Sequence, residues 1–109
     1  MNNELRIAGL LDLIREDPTD PFPRYGLCLE YQRSGHPETL SAWEALLADF
    51  PSYLPSYYQA GMAFHPLDQE RAESIWQSGI SLATEVGDKH ALAELKSVLL
   101  NSQLGELDL

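Results

Sequence analysis

The sequence predicts an all-α protein, an α-solenoid of about six helices paired as hairpins. Two observations predict it. Amphipathic stripes of helical period recur along the whole chain, and no β-alternation of useful length interrupts them. Sliding the chain against itself by 33 residues superposes Trp43 on Trp76, Tyr25 on Tyr58, Ser41 on Ser74, Tyr31 on Phe64, Leu29 on Met62, Leu47 on Ile80 and Thr39 on Ala72. The same shift superposes a proline-started helix, a short turn and a second helix with its tryptophan in place. A period of about 20 to 50 residues enclosing a helix pair is how a helical solenoid shows itself in sequence.

Each element has its own local reason. In the first, Ile7, Leu10, Leu11 and Ile14 fall at i, i+3, i+4 and i+7, Asn2 or Asn3 serves as cap, and Asp17-Pro18 forces a stop near Glu16. The second opens with Asp20 as N-cap and Pro21 at the first helical position, accepts Pro23 in its first turn, and ends at Ser34-Gly35. The third is expected to start at Pro37 and to carry Thr39, Ala42, Trp43, Leu46, Leu47 and Phe50 inward until Pro51 ends it. The fourth has Pro55 in its first turn, with Ala60, Gly61 and Phe64 inward and Pro66 as breaker. Asp68 caps the fifth, whose stripe runs through Ala72, Ile75, Trp76, Gly79, Ile80, Ala83 and Val86 to a stop at Gly87. The last begins after Asp88, turns Ala91, Leu92, Leu95, Val98 and Leu99 inward, and is expected to fray from Asn101 to Gly105.

Composition bounds what such a chain does. Its 109 residues, 44% hydrophobic and 22% charged, suit one globular domain and exclude a disordered or collagen-like chain. Seventeen acidic against seven basic residues give a net charge of -10, which argues against nucleic acid and against anionic membrane surfaces as partners. The start of the chain has neither a basic n-region nor a clean apolar h-region, and no run reaches the roughly 18 apolar residues that span a bilayer. A cytoplasmic protein is the expectation. Cys28 is the single cysteine and forms neither an internal disulfide nor a Cys-rich zinc site.

The stretch Tyr25-Gly-Leu-Cys-Leu-Glu-Tyr31, followed by Gly35, Thr39, Trp43 and Pro51, resembles a tetratricopeptide repeat (TPR), and Tyr57 to Trp76 resembles another. The resemblance covers roughly residues 20 to 83. The ending from Gly79-Ile80 through Gly87-Asp88-Lys89-His90-Ala91-Leu92 is similar to that of short bacterial TPR proteins with two repeats and a terminal helix. It implies a right-handed solenoid in a single domain over 1–109. Within it, 1–19 is a leading helix, 20–53 and 54–87 are the repeats, and 88–109 is a terminal capping helix and tail. Both units are one residue shorter than the usual 34, in the same turn, and Asp68 stands where the second turn glycine belongs.

Stacking explains most of these residues without any function. A helix pair cannot bury its apolar faces alone, and small residues at Ala60, Gly61, Ala72 and Gly79 let backbones approach. Cys28, at the place of Gly61, reads as a small buried hydrophobe, with a reactive thiol the competing reading. Trp43 and Trp76 read as core aromatics.

In the TPR family the first helices of successive repeats line a concave groove. The resemblance places Phe22, Tyr25, Leu29, Gln32 and Arg33 from one repeat and Tyr58, Met62 and His65 from the next on that face. Tyrosine and methionine suit capture of an extended peptide or an amphipathic helix, with Gln32, Arg33 and His65 fixing orientation. The competing reading has these side chains covered by the leading and terminal helices. The clamp of basic and amide residues that holds acidic chaperone tails in some TPR domains is missing, since only Arg33 brings a full positive charge. No lysine or arginine lies between Arg33 and Arg71, an interval holding Glu38, Glu44, Asp49, Asp68 and Glu70, so the expected protein or peptide partner is not acidic.

Catalysis finds no advertisement. His36, His65 and His90 lie in or beside turns without metal-ligand spacing, and no glycine-rich phosphate loop, Gly-x-Ser-x-Gly elbow or Glu-x-x-His pair occurs. The expected function is a non-catalytic protein-interaction module without metal or cofactor. The alternative is a self-associating subunit that forms homodimers through the same face or through Leu104 to Leu109.

Overall fold

A computed structural model describes residues 3–107, and six helices make up all of their regular structure. They are α1 (Asn3–Glu16), α2 (Pro21–Ser34), α3 (Thr39–Asp49), α4 (Pro55–Phe64), α5 (Gln69–Val86) and α6 (Lys89–Gln103). They form two compact units, one ending at Tyr53 and the other starting at Leu54. No helix among the described residues is long and apolar enough to cross a membrane.

The capping chemistry explains most boundaries. Asp20, Asp68 and Asp88 each turn a carboxylate back on the first turn of the helix they precede, accepting from the backbone N–H of Phe22, Arg71 and Ala91 at 3.0 Å. Gly35 ends α2 at φ 67°, a left-handed conformation that glycine alone adopts without cost, and the His36 N–H then reaches the Tyr31 carbonyl at 2.9 Å. Gly87 ends α5 in the same way at φ 76°.

In the first unit α1 packs on α2 and α2 on α3. Trp43 and Leu46 are fully enclosed, and the Trp43 indole N–H donates to Gln32 Oε1 at 3.1 Å. Tyr25 meets Trp43 and Tyr53 edge to face, at 5.8 and 5.7 Å between ring centres. Arg24 pairs with Asp49 at 2.8 Å and lies over the Phe50 ring at 5.4 Å, tying the start of α2 to the end of α3.

Two expectations for this unit change, the cap of α1 and the start of α3. The stripe Ile7, Leu10, Leu11, Ile14 is only half-buried, and α1 holds no fully buried residue. Asn3 lies inside α1 rather than capping it, and its amide donates to Glu30 Oε2 at 2.7 Å; the other candidate cap, Asn2, lies outside the described residues. Helix α3 starts at Thr39 rather than Pro37, because the intervening residues close a turn on His36. The Thr39 hydroxyl and N–H both donate to the His36 carbonyl, at 2.7 and 3.1 Å, and the Glu38 N–H donates to His36 Nδ1 at 3.0 Å. His36, stacked on Tyr31 at 4.0 Å, is thus a turn-forming residue. Cys28 is buried, as its reading as a small hydrophobe expects, and burial pushes the thiol up to about 12 against the opposing charge of Arg24. Cys28 is therefore expected to resist iodoacetamide at pH 8 in the folded protein and to react once denatured, a difference that mass spectrometry reads directly.

In the second unit α5 packs against both α4 and α6. Trp76 is fully buried against α4, with its indole N–H donating to the Tyr58 carbonyl at 3.1 Å and the His65 ring stacked over it at 5.9 Å. Gly79 lies between α4 and α6, and a Cβ there would stand 2.7 Å from Tyr57 Cβ and 3.1 Å from Leu95 Cδ1. Val86, expected inward, is 60% exposed, because α5 runs on beyond the part that α4 covers. Helix α6 does not fray at Asn101. It holds to Gln103 because Ser102 is buried and bonded.

Candidate interaction surfaces

The residues expected on one face have different tasks. Gln32 spends its carbonyl oxygen on the Trp43 indole, and Tyr25 is half-buried between two aromatic rings, where burial first and the Tyr53 hydroxyl second raise its pKa. Both are parts of the first unit's packing. Leu29 and Arg33 instead border an open groove of about 450 Å3 between α1 and α2, whose other walls include Leu5, Gly9, Leu10, Leu13 and Gly26.

That groove ends on a carboxylate held by three donors. Glu30 accepts from the Asn3 amide at 2.7 Å, from Arg6 Nε at 3.0 Å and from Arg33 Nη1 at 3.1 Å, and its side chain is only 10% exposed. Burial raises its pKa, but the hydrogen bonds from Arg6 and Asn3 and the charges of Arg33 and Arg6 outweigh it and hold the carboxyl below its ordinary value. A carboxyl with a depressed folded pKa contributes stability above its unfolded value that is lost as pH falls through the folded one. The docking of α1 on α2 is therefore expected to loosen as pH drops below about 4.3, the ordinary glutamate value. Faster hydrogen exchange in α1 than in α3 marks that loosening, and Glu30→Gln brings it to neutral pH. The pairing of Asn3 and Arg6 with Glu30 spans more than twenty residues, so no local spacing announced it.

In the second unit Tyr58 borders a groove of about 370 Å3 between α4 and α6. Its opposite wall is Ala93, Ser97, Val98 and Asn101 of α6, with His90 and Glu94 at one end, paired at 3.2 Å, and Leu107 beside it. Sequence reasoning missed the α6 residues because it assigned that helix to capping alone. Their signal was available: Ala93, Ser97 and Asn101 at i, i+4 and i+8 form a small and polar stripe beside the inward Leu95, Val98 and Leu99. Met62 is half-buried on α4.

His65 has left the groove for the packing. Ser102, 2% exposed, donates its hydroxyl proton to Glu73 Oε2 at 2.5 Å and lies 3.1 Å from His65 Nε2, while Gln69 Nε2 donates to the same hydroxyl oxygen at 3.2 Å and to the Ser102 carbonyl at 3.1 Å. A hydroxyl has one proton, and this one goes to Glu73, so His65 Nε2 is the donor in its pair. A serine nucleophile would instead hand its proton to the histidine and stand open to substrate. The cluster fastens the end of α6 to α4 and α5. Among the described residues no group of three or more His, Cys, Asp or Glu side chains is arranged to hold a metal ion.

Helical hairpins with a tryptophan of the second helix locked against the first, repeated at 33 residues, define a helical-repeat protein. Two solved structures agree. A crystal structure of a tetratricopeptide repeat domain protein from Salinibacter ruber is 31% identical, covering 77% of this chain and 96% of that one, with a TM-score of 0.71. A solution NMR structure of a tetratricopeptide repeat domain protein from the same organism is 33% identical, covering 79% and 89%, with a TM-score of 0.72. The chain belongs to the tetratricopeptide repeat family. No family model matches the sequence, and no curated protein does.

Proposed function

We propose that this protein is a non-catalytic interaction module that holds a segment of a partner protein against its first-helix faces. The family supports a protein-interaction role in general. The finer reading rests on one observation: the groove between α4 and α6, which Tyr58 lines together with Ala93, Ser97 and Asn101 of α6. Tyrosine offers broad contact area with little entropy to lose, and Ser97 and Asn101 add hydrogen-bonding groups for a peptide backbone. Met62, half-buried on the same helix, adds adaptable apolar surface.

In the test, wild-type protein and the Tyr58→Ala/Met62→Ala variant are used side by side for affinity capture from the native cell, with thermal melts as control. Loss of a captured protein at an unchanged melting temperature supports the reading. An unchanged set of captured proteins in a folded variant overturns it. Sedimentation of the pure protein over a concentration range tests self-association through Leu104 to Leu109, of which residues 108 and 109 lie outside the described part.

A further inference from the structure

The two ends of the Tyr58 groove differ in chemistry. On α6, His90, Ala93, Glu94, Ser97 and Asn101 stand at i, i+3, i+4, i+7 and i+11, one stripe along the helix. From His90 to Asn101 the stripe runs about 16 Å, which about five extended residues span. Glu94 marks one end. At the other, the Glu106 N–H donates to the Asn101 carbonyl at 2.8 Å, and the turn through Gly105, at φ 72°, brings half-buried Leu107 to the groove.

The carboxylate of Glu94 meets no cationic side chain on the groove walls. Arg71, Lys89 and Lys96 are the basic residues of 54–109. Lys89 and Lys96, seven residues apart, share another face of α6, about a third of a turn round from the stripe. Arg71, on α5, lies over the Phe64 ring at 5.9 Å, and α4 carries no charged residue. Among the described residues that line the groove, Glu94 is the one carboxylate, with its side chain 55% exposed. Its partner His90 is 87% exposed and adds charge only when protonated, and exposed pairs of this kind hold weakly. Between the two ends, the side chains of Tyr58, Ser97 and Asn101 have no hydrogen-bond partner among the described residues, unlike Gln32, His65 and Ser102.

We propose that the segment held in the Tyr58 groove is an extended one, with an arginine at the Glu94 end and an apolar side chain at the Leu107 end. The guanidinium fork offers a carboxylate two parallel donors and takes it from His90, where a lysine brings only a point charge. Tyr58, Ser97 and Asn101 then meet backbone groups in between, which an extended chain leaves available and a helix keeps for itself. This names the partner chemistry of the proposed function and rests on that reading of the groove.

The probes are short synthetic peptides, acetylated and amidated, with a leucine about three residues from one variable position. That position holds arginine in one peptide and citrulline, its uncharged isostere, in the other. Against isotope-labelled full-length protein, the arginine peptide is expected to bind at least about threefold tighter, with amide shifts concentrated in α4 and α6. Glu94→Gln is expected to remove the difference. Glu16→Gln, the same change of net charge at an exposed position of the other unit, is expected to keep it. Leu107→Asp is expected to weaken both peptides alike, and circular dichroism verifies that each variant folds. Equal affinity for the two peptides, no binding of either, or a preference that survives Glu94→Gln or disappears with Glu16→Gln would overturn the proposal. Its failure is distinguishable from that of the groove itself. Equal affinity with α4 and α6 shifts that Tyr58→Ala abolishes overturns the arginine and leaves the groove standing, whereas shifts elsewhere that Tyr58→Ala leaves unchanged count against both.

Discussion

Trp76→Ala is expected to cost the second unit about 3 to 5 kcal/mol, the range for truncating a fully buried tryptophan. Trp76 has no exposed surface, so the whole indole volume becomes a cavity. The neighbours have little means to close it. Gly61 has no side chain to extend, Tyr58 would lose the donor to its carbonyl, and His65, stacked on the indole, is anchored at its other edge by Ser102. Thermal denaturation followed by far-ultraviolet circular dichroism checks the magnitude. The cost is also expected to be local: exchange protection in α4, α5 and α6 falls first, because these helices share the indole or the network around it. For a domain with the usual marginal stability, a loss of this size removes a large share of the total.

What could be read in advance follows from how local each interaction is. Asp20, Asp68 and Asp88 act on backbone groups two or three residues away, and Gly35 and Gly87 act on the turn they occupy, so their roles are written in a short window of sequence. The tryptophans were legible for a different reason. A bulky apolar residue repeated in one register at 33 residues has no explanation on a solvated surface. The candidate site fared otherwise, because polar side chains on a helix are claimed by whichever long-range partner arrives first. Gln32 goes to Trp43, His65 to Ser102, and Arg33 to Glu30, which Asn3 and Arg6 also reach from α1. Helical periodicity gives the side of α2 or α4 on which such residues lie. It does not reveal that α6 returns 37 residues later to engage His65, nor that the same return builds the second wall of the Tyr58 groove. Leu29 shows the same limit. Its apolar face was legible, and its neighbours on α1 were not.

Gly61→Ala isolates the close approach that the tryptophan requires. A Cβ added at Gly61 would stand 2.0 Å from Trp76 Nε1, 2.4 Å from Cε2 and 2.6 Å from Cδ1, all inside the contact limit of real atoms. The indole is rigid and fully enclosed, so it cannot swing away as a flexible chain end would. Relief requires α4 and α5 to separate, which also stretches the hydrogen bond from the indole to Tyr58. A loss of about 1 to 3 kcal/mol or more is expected from such overpacking, although alanine in place of glycine within a helix would by itself favour the fold by about 1 kcal/mol. The two opposing effects separate in a double-mutant cycle. In the Trp76→Ala background the clash is gone, so adding Gly61→Ala is expected to cost nothing and to recover part of the propensity gain. Chemical denaturation of the wild type, both single variants and the double variant measures the four corners. A Gly61→Ala penalty that persists undiminished without the indole would show that α4 rejects a side chain here for a reason other than Trp76, and that the small residue at Gly61 serves a different neighbour.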